Sequence, residues 1–185
     1  MKLWHQLGTA CALLMGTCAF AQSSPVYIGI TGGYARADVN CAGTTRCDRS
    51  SGGVQAFAGV MLAPFVGVEL QLHDYGKVTA SVTGIDAEIR STGAGGGVLL
   101  IGPIAPQWDL FARLGAARNR AKVTLAGAVS GSVTDSATKA YYGLGGAYKM
   151  TPNLSLRLQW DGSTFKPAGE NMDTSMLSVG VAFQF

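Results

Sequence analysis

The chain has 185 residues, room for one domain, with a net charge of +3, 14% charged residues and 48% hydrophobic ones. That composition excludes a disordered chain, which needs low hydrophobicity and high net charge, and a coiled coil, which needs charged flanking positions. The positive charge is too small and too scattered for a nucleic-acid binder. After residue 21 no apolar run approaches the roughly 18 residues of a spanning helix, so a hydrophobic chain with 26 glycines points to membrane-spanning strands.

Residues 1–21 read as a secretory signal peptide. Lys2 supplies the positive start, Leu7 to Phe20 the short apolar stretch, and Ala19-Phe20-Ala21 the small-residue cleavage site before Gln22. A buried N-terminal helix and a lipoprotein attached through Cys18 are the alternatives, the second fitting poorly because Thr17 precedes the cysteine. The expected mature domain is 22–185. Cys41 and Cys47 remain in it, and export places them in an oxidising compartment. The turn-rich stretch Cys41-Ala-Gly-Thr-Thr-Arg-Cys47 is expected to close as a disulfide loop, with two free thiols as the alternative. No third cysteine or histidine stands nearby to complete the four ligands of zinc.

The mature chain alternates with period 2, the mark of strands with two unlike faces. Residues 154–161 set Leu154, Leu156, Leu158 and Trp160 against Ser155, Arg157, Gln159 and Asp161. Residues 66–73 and 176–185 repeat the pattern. Eight strands are predicted, near 26–37, 53–63, 66–76, 84–102, 108–120, 138–150, 154–164 and 174–185, the fourth weakened by Gly93, Gly95, Gly96 and Gly97. Short connections around Pro64, Pro103 to Pro106 and Pro152 alternate with long ones near 38–52, 77–83, 121–137 and 165–173, and no proline is expected inside a strand. That rhythm predicts an all-β fold: an eight-stranded antiparallel up-and-down transmembrane β-barrel, closed because an open sheet edge in lipid leaves backbone groups unpaired. An even strand count puts both ends on the periplasmic side. The alternative is a soluble secreted barrel or sandwich with its apolar face turned inward.

Several segments carry a family resemblance. Trp108-Asp-Leu-Phe-Ala-Arg-Leu-Gly115 resembles the fifth strand of the OmpA N-terminal transmembrane barrel. Tyr142-Gly-Leu-Gly-Gly-Ala-Tyr148 and Met150-Thr-Pro-Asn-Leu-Ser-Leu-Arg-Leu158 resemble its sixth strand, tight turn and seventh strand, and Val66-Gly-Val-Glu-Leu70 its third. The end, Leu177 to Phe185, is similar to the terminal strand that such proteins present to the barrel-assembly machinery, which implies that Phe183 and Phe185 are the assembly signal. The chain stops at Phe185, without the peptidoglycan-binding domain of full OmpA proteins, so a cell-wall tether is not expected from it.

A barrel of eight strands has an interior that side chains just fill, and charges there must pair. Alternation places Glu69, Arg113 and Arg157 inside, and Glu88 and Arg90 too if the fourth strand keeps its parity. The resemblance implies an acid–arginine cluster at the first three positions. Gln159 stands where an acid is expected, which leaves the arginines in excess. Asp109 and Lys149 are expected to pair at the periplasmic mouth, and Trp108, Tyr148 and Trp160 to form aromatic belts. His73 is the single histidine of the mature chain, with no serine at a suggestive spacing, so no catalysis is expected and a lipid A deacylase is the alternative. Arg36, Arg46, Arg49, Lys77, Arg118, Arg120, Lys122, Lys139 and Lys166 fall in or near the external half, where they suit lipopolysaccharide phosphates. No cofactor motif is present. The expected role is an outer-membrane protein of a Gram-negative envelope, structural in function, with adhesion through its loops or a narrow ion path as alternatives.

Overall fold

The structure is a computed structural model that describes residues 25–38, 46–82, 85–127, 130–165 and 172–185. The signal segment and Cys41 lie outside the described residues. The strands are β1 (Val26–Ala37), β2 (Arg46–Asp48), β3 (Ser50–Ala63), β4 (Val66–Val82), β5 (Ile85–Ala105), β6 (Trp108–Gly127), β7 (Gly131–Lys149), β8 (Leu154–Phe165) and β9 (Met172–Gln184). Every pairing is antiparallel. Eight strands run β4-β3-β1-β9-β8-β7-β6-β5, and the β4–β5 pairing closes the ring. The first and last long strands meet from Tyr27↔Gln184 to Ala37↔Thr174. The fold is therefore a closed eight-stranded barrel, and β2 is a short addition paired to the far end of β4.

The interior and exterior are reversed relative to a soluble protein. Leu70 is 70% exposed and Leu158 56% exposed, while Gln159 is 1% exposed. The apolar face of each strand thus looks out, and the polar face fills the lumen. An apolar wall of this kind is stable only against acyl chains, which removes the soluble alternative. The wall is bounded by outward aromatics. Trp108 and Tyr148 stack at 4.9 Å near the tight turns, and Tyr142 and Trp160 at 5.7 Å toward the opposite mouth.

Strand length divides the barrel into two zones. A tilted strand crosses a bilayer in about 9–11 residues, which β1, at 12 residues, barely exceeds. β5, β6 and β7 have 21, 20 and 19 residues, about twice that need. Their surplus projects from the mouth opposite the tight turns. The predicted loops at 77–83 and 121–137 are thus largely strand: Lys77↔Arg90 to Val82↔Ile85 and Ala121↔Asp135 to Leu125↔Gly131 keep the ladders paired. Pro103 also corrects the proline expectation. It lies within β5, beside the register shift between Pro103 and Ala105, where the ladder is already interrupted.

Glycine decides two local features. Gly76, at φ 75°, sits in the bulge between Asp74 and Lys77 and shifts the outward parity of β4 from even to odd positions. Gly97 and Gly115 face each other across β5 and β6, and a Cβ on either falls within 3 Å of the other's backbone. The two strands approach closely there because neither has a side chain.

Candidate functional site

The lumen is built in layers by the inward residues of each strand. Its centre is ionic. Glu69 on β4 accepts from Arg113 Nη1 at 2.5 Å, Arg157 Nη1 at 3.1 Å and the Tyr27 hydroxyl at 2.9 Å. Asp161 on β8 accepts from Arg113 Nη2 at 3.0 Å, the Tyr141 hydroxyl at 2.6 Å and Gln159 Nε2 at 2.9 Å. Two carboxylates face two guanidiniums, all at most 5% exposed, so the cluster is balanced in charge. Arg157 is also boxed by aromatic rings, 4.8 Å from Tyr27, 4.6 Å from Phe57 and 5.1 Å from Phe111. Rings hold a guanidinium by cation–π attraction where water is excluded.

An apolar layer borders this cluster on the side of the tight turns: Tyr27, Phe57, Leu99, Phe111, Ala147 and Ala182 pack together, with Met61 and Ile101 against them. On the other side comes an amide layer. Gln55 donates to Gln71 at 2.6 Å, and Gln159 to Gln55 at 3.1 Å. Beyond it His73 Nε2 meets Asn119 Oδ1 at 2.8 Å, and Asn119 donates to Ser163 Oγ at 2.9 Å. A second apolar group, Ala35, Ala37, Tyr75 and Met176, closes the sequence of layers. A hydrated ion entering from either mouth meets apolar side chains and an ion pair network with no charge to spare.

The structure brings Glu69, Arg113 and Arg157 into one cluster. It places Glu88 and Arg90 elsewhere, which corrects that expectation. On β5 the odd positions face inward, with Leu99 fully buried and Ser91 buried, so the even positions carrying Val98, Leu100, Arg90 and Glu88 face out. Arg90 pairs with Asp74 at 2.6 Å and Glu88 with Lys77 at 2.9 Å, both at the rim. The run of inward glycines hid this parity, although Val98 and Leu100 already marked the outer face. The expected surplus of arginine is also corrected: Asp161, two positions beyond Gln159 on the same face, supplies the second acid. Tyr27, Tyr141, Gln55 and Gln71 complete the network and were missed. Gln71 and Asp161 were legible from alternation, whereas the tyrosines needed the register between strands.

Asp109 and Lys149 pair at 2.8 Å at the turn-side mouth. Trp108, Tyr148 and Trp160 all face outward, and Phe183 and Phe185 stack edge-on at 5.1 Å at the end of β9. Cys47 lies on β2, and its expected partner Cys41 is outside the described residues. His73 is buried in the lumen, with Asn119 standing between it and Ser163.

The comparisons with known proteins agree with this geometry. A family model described as outer membrane protein beta-barrel domain matches residues 7–185. Outer membrane protein A of Shigella flexneri is 29% identical over 142 residues, covering 72% of this chain and 40% of that protein, so the chain spans less than half of that relative's length. Neisserial surface protein A has the same fold, with a TM-score of 0.62 at 16% identity over 86% of this chain and 97% of that one. Ail, the attachment invasion locus protein of Yersinia pestis, aligns with a TM-score of 0.55 at 19% identity over 86% and 98%. By its matched length, its inverted wall and its closed ring, the chain belongs to the outer membrane protein β-barrel domain family, of the OmpA-like kind, and resides in the outer membrane.

Proposed function

We propose that the protein is a structural, non-conducting barrel that supports the envelope and holds its long hairpins outside, without catalysing a reaction. The observation that carries this reading is the filled lumen, where a charge-balanced cluster around Glu69 and Asp161 is backed by the apolar layer of Tyr27, Phe57, Leu99 and Phe111. The tight turns belong on the periplasmic side, as in barrels of this kind, which sends the extended ends of β5, β6 and β7 outward. His73 supports the non-catalytic reading. Its imidazole is held by Asn119 inside the lumen and does not reach the Ser163 hydroxyl, so the nucleophile–base contact a hydrolase needs is not made. A disulfide between Cys41 and Cys47 suits the exported setting, and thiol alkylation before and after reduction tests it. Phe183 and Phe185 are the contact offered to the barrel-assembly machinery.

The test is conductance in planar bilayers together with envelope integrity. Wild type and Glu69→Ala are both expected to be electrically silent, and loss of the gene is expected to sensitise cells to detergent. A steady single-channel conductance from the wild type would replace the reading with the narrow-pore alternative.

Adhesion is the second reading, and one feature favours it. Gly131–Ala140 of β7 pair with β6, but the β7–β8 ladder begins only at Tyr141↔Ser163, so the other edge of this projecting stretch carries no strand among the described residues. Such an edge accepts a partner strand. Ail, which shares the fold, is described as an attachment protein. Removing the projecting hairpin and measuring host-cell binding separates this reading from the first.

A further inference from the structure

The outer wall carries a feature that a purely structural barrel does not require. Arg118, Arg120 and Lys122 follow one another at alternate positions of β6, and all three are exposed on the outward face. Below them on the same face the strand is apolar, with Leu110, Ala112, Leu114 and Ala116. Two-residue steps along a strand are about 6.7 Å, so the three cations form a ridge roughly 13 Å long. Among the described residues no carboxylate lies within ion-pair distance of any of them. Their register neighbours are hydroxyl-bearing instead: Thr138, Ser136 and Thr134 on β7 and Thr92 on β5. Arg90 pairs in register with Lys122 and already holds Asp74.

The wall beside this ridge is grooved. Ala56 and Ala58 of β3, Leu70 and Leu72 of β4 and Ala94 of β5 line a depression of about 450 Å³. The two features join through the ladders, because Ala56↔Leu72, Leu72↔Ala94 and Ala94↔Arg118 form one continuous row. The row climbs as it goes. Leu72 is six residues along β4 from Val66, whereas Arg118 is ten residues along β6 from Trp108. The groove therefore lies at acyl-chain depth and the cations at the level of the headgroups.

We infer that this face is a lipid site for a multiply phosphorylated lipid of the outer leaflet, the lipid A class. Its phosphates sit on Arg118, Arg120 and Lys122 with the hydroxyls beside them, and one acyl chain lies in the alanine-lined groove. A single phosphate is too small to engage a ridge of this length, and charge-assisted bonds to several cations favour a ligand with two. The orientation rests on the proposed outward placing of the hairpins.

The test is native mass spectrometry of the full-length folded protein with three probes: bis-phosphorylated lipid A, its mono-phosphorylated form and phosphatidylglycerol. Folding of each variant is checked by its heat-dependent gel mobility. Wild type is expected to retain bis-phosphorylated lipid A at least about tenfold better than phosphatidylglycerol. The triple variant Arg118→Gln, Arg120→Gln, Lys122→Gln is expected to lose that preference, and Ala58→Phe, which fills the groove without touching a charge, to weaken lipid A retention. Arg36→Gln, on β1 across the barrel, is the control expected to bind as wild type. A triple variant that binds lipid A as wild type does would overturn the inference, and so would equal retention of phosphatidylglycerol by the wild type. Either failure leaves the sealed-lumen reading intact, because that reading is judged by conductance.

Discussion

Glu69 is the residue on which the lumen depends most. It answers Arg113 and Arg157 together, and both guanidiniums are buried. Breaking a buried pair strands the surviving charge, at a cost of about 3–5 kcal/mol. Glu69→Ala is therefore expected to lower unfolding stability by about that amount, measured by urea titration of the refolded barrel in vesicles. Glu69→Gln keeps one acceptor oxygen, which serves one of the two arginines, and is expected to lose less than Glu69→Ala. Equal stability of Glu69→Ala and wild type would mean that the arginines find other partners. A second expectation concerns Gly115. A side chain there meets the backbone of β5, so Gly115→Val is expected to yield no heat-modifiable folded form, while Ala116→Val, on the lipid face next to it, is expected to fold. The partners of Glu69 show how far the sequence could be read at this scale. Alternation put Glu69, Arg113 and Arg157 on the inner face, but parity carries no information about which inner residues touch across the lumen. Asp161 was on the correct face in plain view, and only the approach of β8 to β6 across the lumen shows that it serves Arg113.

At the level of elements, the eight strands and their order were legible because each has one face that must meet lipid. Their outer ends were not, because above the apolar band both faces are polar and the alternation loses its contrast. Residues 131–136 illustrate this: all are exposed, yet they form a paired strand. β5 shows the same loss for a different reason, since glycine on the inner face erases the polar half of the pattern and reversed the expected parity of Glu88 and Arg90. Among the described residues, the projecting part of the β6–β7 hairpin contributes no side chain to the lumen network. Replacing residues 122–137 with a short turn is therefore expected to preserve the heat-modifiable barrel and to shift its urea midpoint only slightly. Failure of that variant to fold would show that the projecting sheet nucleates the barrel.

For the molecule as a whole, function follows from the inversion of its interior. A wall of leucine, valine and aromatic side chains faces the membrane, and paired charges between apolar layers fill the lumen, the arrangement on which the proposed non-conducting role rests. The same inversion makes the outer face available for lipid recognition and leaves the projecting hairpins for contacts beyond the bilayer. The most direct measurement is the accessibility of nitroxide labels on single cysteines at Leu158, Gln159, Ser178 and Val179, in vesicles and in a background lacking Cys41 and Cys47. Labels at Leu158 and Val179 are expected to collide freely with oxygen dissolved in the acyl chains, and labels at Gln159 and Ser178 to be immobilised and shielded. Shielded labels at Leu158 and Val179, with Gln159 and Ser178 open to aqueous relaxants, would contradict the outward placement of the apolar face.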